Sequence, residues 1–212
     1  MHSSEEIITL LNDSSTLNRR KAAKIIFKEK TSDVGQILLD ALVKELKNEN
    51  SKQWETQVEM IKAIGKIRFT PALPVITDIC RKNKDHDAIT IVSAAAYVRL
   101  KRESLSDISP VLELLALNGF SVSTGALTAL GIDQMMPDEN GIKQLISICF
   151  DLGKGVHPGL GDPRSGLIAA CANWNKSLTN DFLLHCVNTG NGSYAQGLAQ
   201  QVLDGKSVTL AE

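Results

Sequence analysis

The chain has 212 residues, of which 43% are hydrophobic and 22% are charged, and its formal net charge is −1. This length and apolar content are sufficient for one domain with a substantial core. No basic segment followed by an apolar run opens the chain, and no apolar run is long enough to span a bilayer. We therefore expect a folded cytoplasmic protein, and the composition argues against a secreted precursor or a membrane protein.

Apolar residues recur with helical spacing throughout the chain, whereas alternating β-branched runs are nearly absent. Aromatic residues make up 4% of the chain, so the core must be built from Leu, Ile, Val and Ala, which suits closely packed helices. The cysteines show neither a CxxC pair nor metal-ligand spacing. The sequence therefore predicts an all-α protein with reduced, buried thiols, no metal site and no cofactor. The four cysteines are Cys80, Cys149, Cys171 and Cys186.

Charge is distributed unevenly along the chain. Residues 1–103 hold 18 Lys and Arg against 14 Asp and Glu, an excess of +4, whereas residues 104–212 hold 5 against 10, an excess of −5. Nucleic-acid binding would use such a basic half through counterion release. Interleaved carboxylates and a sequence pI near 6.4 favour solvated helix faces instead. The basic clusters are Arg19, Arg20, Lys21, Lys24 and Lys28, followed by Arg81, Lys82, Lys84, Arg99, Lys101 and Arg102.

Residues 54–67, WETQVEMIKAIGKI, predict an amphipathic helix. Its apolar face contains Val58, Ile61 and Ile64. In its outward stripe, Lys62 and Lys66 are expected to form ion pairs with Glu59 and Glu55. That stripe consists of Glu55, Glu59, Lys62 and Lys66.

Similar segments recur about every 33 residues, which is typical of stacked helix pairs. Ala63, Ala96 and Ala129 occupy the same place in three of them. In the intervening helices, registers of 36 and then 33 residues relate three apolar sets: Ile76, Ile79 and Cys80; Leu112, Leu115 and Ala116; and Leu145, Ile148 and Cys149. Because each helix pair buries one face against its neighbours, such an array leaves a continuous surface for partners.

The spacing of about 33 residues also relates the outward stripe of residues 54–67 to equivalent positions in the later helices. The stripe changes from charged to small and apolar, which fits either a partner-binding floor or packing against the next helix. Its members are Ala88, Val92, Ala95 and Arg99 in one repeat, and Ser121, Gly125, Thr128 and Ile132 in the next.

Residues 153–164, GKGVHPGLGDPR, expand the repeat spacing and predict an inserted loop. The glycines fit neither a dinucleotide fingerprint nor a P-loop, because the required third glycine and the Gly-Lys-Ser/Thr ending are missing. Asp162 is expected to cap the next helix, with Pro163 in its first turn. Such insertions often join the binding face, although a passive spacer fits equally well. His157 and Arg164 are the candidate binding residues of this loop.

No catalytic constellation is readable in the sequence. The adjacent His185 and Cys186 would point about 100° apart on a helix, which does not suit a base and its nucleophile. Trp54 and Trp174 fit either an interface anchor or the edge of an apolar helix face. These patterns favour a protein that is not an enzyme.

Three segments resemble the HEAT-repeat family of α-solenoids: residues 54–67, residues 70–80 (TPALPVITDIC) and residues 162–174 (DPRSGLIAACANW). The Ala-x-Gly-x-Ile ending and the Asp-Pro-Arg opening are similar to the family's helix-end and helix-start signatures. The resemblance covers about residues 17–203. It implies a single domain, residues 1–212, with about five antiparallel helix pairs in a right-handed superhelical array.

This resemblance favours a non-enzymatic bacterial module that covers the surface of a protein partner, for example an immunity protein that neutralises a toxin. Substitution of Arg164 or His157 should then weaken binding without changing thermal stability. The first alternative is a HEAT-like DNA-binding protein or alkylpurine DNA glycosylase, and the second is a HEAT-like pigment lyase or chaperone. The expected contact residues are Glu55, Glu59, Lys62, Lys66, Arg99, Thr128, His157, Asp162, Arg164 and Trp174.

Overall fold

The computed structural model describes residues 2–47, 54–152, 161–189, 193–206 and 208–210. Within these ranges the chain forms twelve α-helices, a short 3-10 turn at Thr70–Ala72, and no β-strand. The all-α prediction is therefore confirmed. None of the described helices is both long and apolar enough to cross a membrane.

The chain divides into two compact units, Met1–Lys101 and Arg102–Glu212. In the first unit α2 packs along α4, α4 packs along α6, and each of these three contacts the helix that precedes it. The unit is therefore a row of alternate helices, α2, α4 and α6, backed by the helices between them. Its described helices are α1 (Ser4–Leu11), α2 (Thr16–Glu29), α3 (Gly35–Leu46), α4 (Trp54–Ile67), α5 (Leu73–Lys82) and α6 (Ala88–Lys101).

The second unit repeats this packing of alternate helices. In it α8 packs on α10 and α10 on α12, while α7 contacts α8 and α11 contacts both α9 and α12. Its described helices are α7 (Ser109–Leu115), α8 (Phe120–Ile132), α9 (Glu139–Cys149), α10 (Ser165–Cys171), α11 (Lys176–Thr189) and α12 (Tyr194–Leu203). One array continuing through both units, as the sequence resemblance implies, stays a prediction.

The boundary between the units lies close to the change in charge along the sequence. Residues 1–101 hold 17 basic and 13 acidic residues, an excess of +4, and residues 102–212 hold 6 and 11, an excess of −5. The first unit is therefore the basic one and the second the acidic one.

Local signals in the sequence explain where several helices begin and end. Ser3 and Glu6 form a capping box at the start of α1, and the Asp138 side chain accepts the Gly141 N–H at the start of α9. Lys30 and Asn83 end α2 and α5 in the left-handed conformation, with φ of 56° and 45°. Such a residue turns the chain out of the helix and lets the next helix pack back on it.

Small residues bring neighbouring helices of each row into close contact. A Cβ on Gly65 of α4 would lie 3.0 Å from the Cα of Ala96 on α6. A Cβ on Gly166 of α10 would lie 2.1 Å from the carbonyl oxygen of Leu127 on α8. The repeated Ala63, Ala96 and Ala129 are at most 1% exposed, as a repeat of core positions requires.

The apolar positions predicted for the helices between the members of each row are wrong by one residue in α7. Its core side chains are Val111, Leu114 and Leu115, whereas the predicted Ala116 is exposed. On α9 the predicted Ile148 is 47% exposed. Helix α7 has only seven residues, beginning at Ser109 with Pro110 in its first turn, so its few apolar positions align equally well in two registers by sequence alone.

We expect Gly166→Ala to destabilise the second unit by about 1–3 kcal/mol, because the new methyl group overlaps the Leu127 carbonyl. Gly197→Ala is the matched control on α12, where a Cβ has no neighbour within 4 Å. That change should stabilise the helix by up to about 1 kcal/mol. Denaturant unfolding followed by Trp174 fluorescence in a Trp54→Phe background measures both. Equal midpoints for the two variants would disprove the close approach.

Candidate partner-binding surface

The predicted outward stripe of α4 lies on its solvent-facing side. Glu55 is exposed, and Glu59, Lys62 and Lys66 are partly exposed. The Lys62 Nζ lies 3.9 Å from the Glu59 carboxylate, as the helical spacing predicts. Glu55, in contrast, forms an ion pair with Arg20 of α2 rather than with Lys66.

Contacts from this stripe attach α4 to α2 at two places. Arg20 pairs with Glu55 near the start of α4, and the Lys66 ammonium lies 4.9 Å from the ring centroid of Phe27 near its end. Because both sequences advance in the same direction between these contacts, α2 and α4 run parallel. The stripe therefore joins two helices of the row and also faces solvent.

A basic groove of about 440 Å³ runs along α2. Its cations recur one turn apart on one side of the helix. Arg19, assigned to this cluster from the sequence, is 7% exposed and forms an ion pair with Glu45, so it belongs to the interior. The groove is lined by His2, Leu17, Arg20, Lys21, Lys24, Ile25, Lys28 and Glu29.

Glu29, the acidic residue of this groove, is hydrogen-bonded to His2. The His2 backbone N–H donates to Glu29 Oε2 at 3.0 Å, and its Nδ1 lies 2.8 Å from Oε1. These hydrogen bonds lower the pKa of the Glu29 carboxyl. Lys21, Lys24 and Lys28 form no ion pair within the described ranges.

Two large exposed apolar side chains are close in sequence to the residues of the Arg20–Glu55 pair: Leu17 precedes Arg20 by three residues, and Trp54 directly precedes Glu55. Leu17 of α2 is 66% exposed and Trp54 of α4 is 48% exposed. Leu17 falls in line with Lys21, Lys24 and Lys28, so an apolar residue lies on the basic side of α2. We use the name α2 surface for six exposed or partly exposed residues: Leu17, Arg20, Lys21, Lys24, Lys28 and Trp54. Sequence reasoning missed Leu17, although its i, i+4, i+7 and i+11 spacing with the lysines was a usable signal.

Arg99 and Thr128 do not extend this surface. Arg99 is 5% exposed, and a Cβ on Gly65 would lie 3.6 Å from its Cδ, so its side chain packs where α4 and α6 meet. Thr128 lies in the other unit and donates to the carbonyl of Thr124 one turn earlier. Ser121 and Gly125, predicted to face outward with it, are buried.

Arg164 and Asp162 form a buried clamp rather than an exposed binding pair. Arg164 is 3% exposed, and its Nε and Nη2 donate to the two Asp162 oxygens at 3.0 and 2.8 Å. Its Nη1 also donates to the Phe150 carbonyl at 3.3 Å. Helix α10 begins at Ser165 with Arg164 in the N-cap position, two residues after the predicted cap. Asp162 Oδ1 nevertheless accepts the backbone N–H of Arg164 at 2.9 Å, so Asp162 caps the turn that leads into the helix, with Pro163 in that turn as predicted.

His157, with residues 153–160, lies outside the described residues. The loop prediction there stays a prediction. Trp174 is 5% exposed, and its Nε1–H donates to the Met135 carbonyl at 2.8 Å. Trp174 lies in the turn between α10 and α11 and belongs to the core of the second unit, so it is not an exposed interface anchor.

The titratable side chains near Arg164 do not form a catalytic set. His185 stacks on Phe150 with ring centroids 4.1 Å apart, and its Nε2 lies 4.0 Å from Asp151 Oδ1, beyond hydrogen-bond distance. Burial raises the pKa of the neighbouring Cys186 thiol to about 11, which keeps it protonated. No group of three or more metal-ligating side chains occurs in the part of the chain that the structure describes.

No family model, curated protein or solved structure matches this chain. Its function is therefore inferred from the α2 surface and from the buried or exposed state of each candidate residue.

Arg164→Ala should lower the free energy of unfolding of the second unit by about 3 kcal/mol, because the Asp162 carboxylate loses its buried partner. Arg164→Lys should restore part of this loss, since an ammonium keeps the charge and loses the bidentate geometry. Lys143→Ala, at an exposed position on α9, is the control. Denaturant unfolding measures all three, and an Arg164→Ala protein of wild-type stability would show that the clamp is not structural.

The four thiols should be inert to a thiol-reactive dye at pH 8 in the native chain and fully reactive in denaturant. Burial raises the pKa of Cys80 and Cys149 to about 12 and also raises that of Cys171. Even Cys186, with a pKa of about 11, is a thiolate in roughly one molecule per thousand at this pH. Ser147→Cys, on the exposed side of α9, should add one rapidly labelled thiol. Fast labelling of the unmodified native chain would contradict the burial.

Proposed function

We propose that the chain is a non-enzymatic protein-binding module whose α2 surface covers an acidic surface of a partner. The observation that carries the proposal is the exposure of Leu17, about one turn before Arg20 on α2, and of Trp54, directly before Glu55 on α4, the two helices that the Arg20–Glu55 ion pair joins. Exposed aromatic and arginine side chains at the centre of a patch are typical of the residues that dominate binding energy.

The apolar and charged parts of this surface have different roles. Complete burial of an exposed Leu or Trp side chain contributes about 1.5–3 kcal/mol, so Leu17 and Trp54 supply much of the affinity. Lys21, Lys24 and Lys28 steer an acidic partner toward the surface and determine its orientation. Arg20 is held by Glu55 before binding, which reduces the entropy lost when a partner docks.

The packing of alternate helices supports a HEAT-like solenoid as the architecture. In such arrays each pair contacts its neighbours and the row of equivalent helices presents an extended face. The parallel α2 and α4 fit this arrangement, and we extend it to a right-handed array of helix pairs. The α2 surface then lies at the first pairs of the array.

Occlusion is the mechanism that such a surface supports. A rigid helical face with apolar anchors and a basic side covers a partner's docking or active site by shape and charge, without chemistry of its own. Neutralisation of a bacterial toxin is the specific form of this proposal. A polyanion is the competing ligand, because the same lysines would also contact phosphates.

The test uses the intact chain as bait in lysate from its native host, with and without nuclease, and quantifies bound proteins by mass spectrometry. Lys21→Glu/Lys24→Glu and Trp54→Ala should each reduce recovery of the partner by about tenfold, because they remove the steering charge and the aromatic anchor. The matched control is Lys143→Glu/Lys176→Glu, which makes the same change in net charge at exposed positions of the second unit.

The proposal is supported by one stoichiometric protein that survives nuclease and is lost from the α2-surface variants alone. Equal losses from the control variant would show that only net charge matters. Recovery of nucleic acid without protein would assign the α2 surface to phosphate backbones instead.

A further inference from the structure

A second concave surface of the first unit lies between the end of α3, the body of α5 and the start of α6. It is a groove of about 600 Å³, separate from the α2 surface. Its apolar lining is formed by Val43 and Leu46 of α3, Pro74, Val75 and Ile79 of α5, and Ile89 of α6. Most of these side chains are partly exposed, so a ligand in the groove would bury further apolar area.

The polar groups at the base of the groove are satisfied within the unit. Gln57 is 7% exposed, and its Nε2 donates to the Glu45 carbonyl at 2.8 Å. The Thr90 N–H and hydroxyl both donate to Asp87 Oδ2, at 2.8 and 2.6 Å. The base therefore demands no hydrogen bonds from a ligand, and its attraction is mainly hydrophobic.

The charges at the rim of the groove favour an acidic ligand. Asp78 is paired with Lys82 at 2.7 Å, and Asp87 accepts the hydrogen bonds from Thr90. Lys47 and Lys84 also line the groove, and neither forms an ion pair within the described ranges. Two cations are therefore available to a ligand, whereas both carboxylates are already engaged.

The shape of the groove suits a helix better than a small molecule. Residues 74–82 of α5 extend about 12 Å, or just over two turns. The rim is exposed, so one side of a ligand would remain in solvent, in contrast to the nearly complete enclosure of small ligands. An amphipathic helix buries its i, i+3 or i+4, and i+7 side chains in such a groove and leaves its other face in water.

We propose that this groove binds an amphipathic helix of a partner protein, with the apolar stripe on the lining residues and Asp or Glu beside Lys47 and Lys84. The inference extends the proposed function, since the ligand is again a protein. It adds a distinct site with a defined ligand class, a helix of about two turns with an acidic edge.

The experiment selects helical peptides of about 16 residues, roughly 24 Å long, from a displayed random library with the intact chain as bait. The enriched peptides should share apolar residues at helical spacing together with Asp or Glu. Their affinities are then measured by fluorescence anisotropy. Lys47→Glu/Lys84→Glu and Val75→Glu should each weaken binding by about tenfold or more, with folding checked by circular dichroism.

Two control variants distinguish binding in the groove from a general effect of net charge and from binding at the α2 surface. Lys44→Glu/Lys143→Glu makes the same change in net charge outside the groove lining and should bind the peptides as the wild type does. Lys21→Glu/Lys24→Glu should also bind them normally, so a failure of the α2 surface is distinguishable from a failure of the groove.

The proposal is overturned if no peptides are enriched over an unrelated bait, or if the enriched peptides bind the groove variants with wild-type affinity. Enrichment of basic peptides would also overturn it. Sedimentation of the peptide-free chain tests for a second copy as the occupant. A wild-type dimer that Val75→Glu dissociates would replace the partner helix with self-association.

Discussion

The close approach of alternate helices is the constraint on which the rest of the structure depends. Gly65 against Ala96, and Gly166 against the Leu127 carbonyl, leave no space for a larger side chain. Backbones at this distance make extensive van der Waals contact and fix the positions of the helices in each row. With few aromatic residues available, the chain builds its core from small side chains at short helix separations. The surface residues are then carried on a rigid base, as a preformed binding face requires.

Buried ion pairs stabilise the chain where it enters or leaves these rows. Arg19 of α2 pairs with Glu45 of α3 and also donates to the carbonyls of Asp13 and Ser14 before the helix. Arg164 joins the start of α10 to Asp162 and to the Phe150 carbonyl in the same manner. Arginine suits both positions because its planar guanidinium group donates hydrogen bonds to several acceptors at once. Some basic residues near helix starts are therefore buried in structural ion pairs. The number of Lys and Arg in the sequence consequently exceeds the number of cations available on the surface.

Sequence periodicity predicted the helices well and the environment of individual side chains less well. The segment at residues 54–67 became α4 with those bounds, and the alanine register at 63, 96 and 129 marked core positions. The same reasoning placed Arg164 and Trp174 at a surface and α7 one residue out of register. The sequence Asp162-Pro163-Arg164 looks the same whether its Arg and Asp form a buried ion pair or an exposed one. Helix α8 is buried on several sides, so its composition does not indicate which side faces solvent.

In the functions proposed above, the α2 surface and the groove share one arrangement: apolar side chains would supply affinity, and lysines without an ion pair in the described ranges would supply orientation. Exposed charges are screened by salt over about 8 Å at physiological ionic strength, whereas apolar burial is not weakened by this screening. An acidic ligand without complementary apolar groups would therefore dissociate as salt rises. A ligand that also covers Leu17 and Trp54, or the floor of the groove, would remain bound. Salt dependence thus separates a protein partner, held mainly by apolar contacts, from a polyanion held by counterion release.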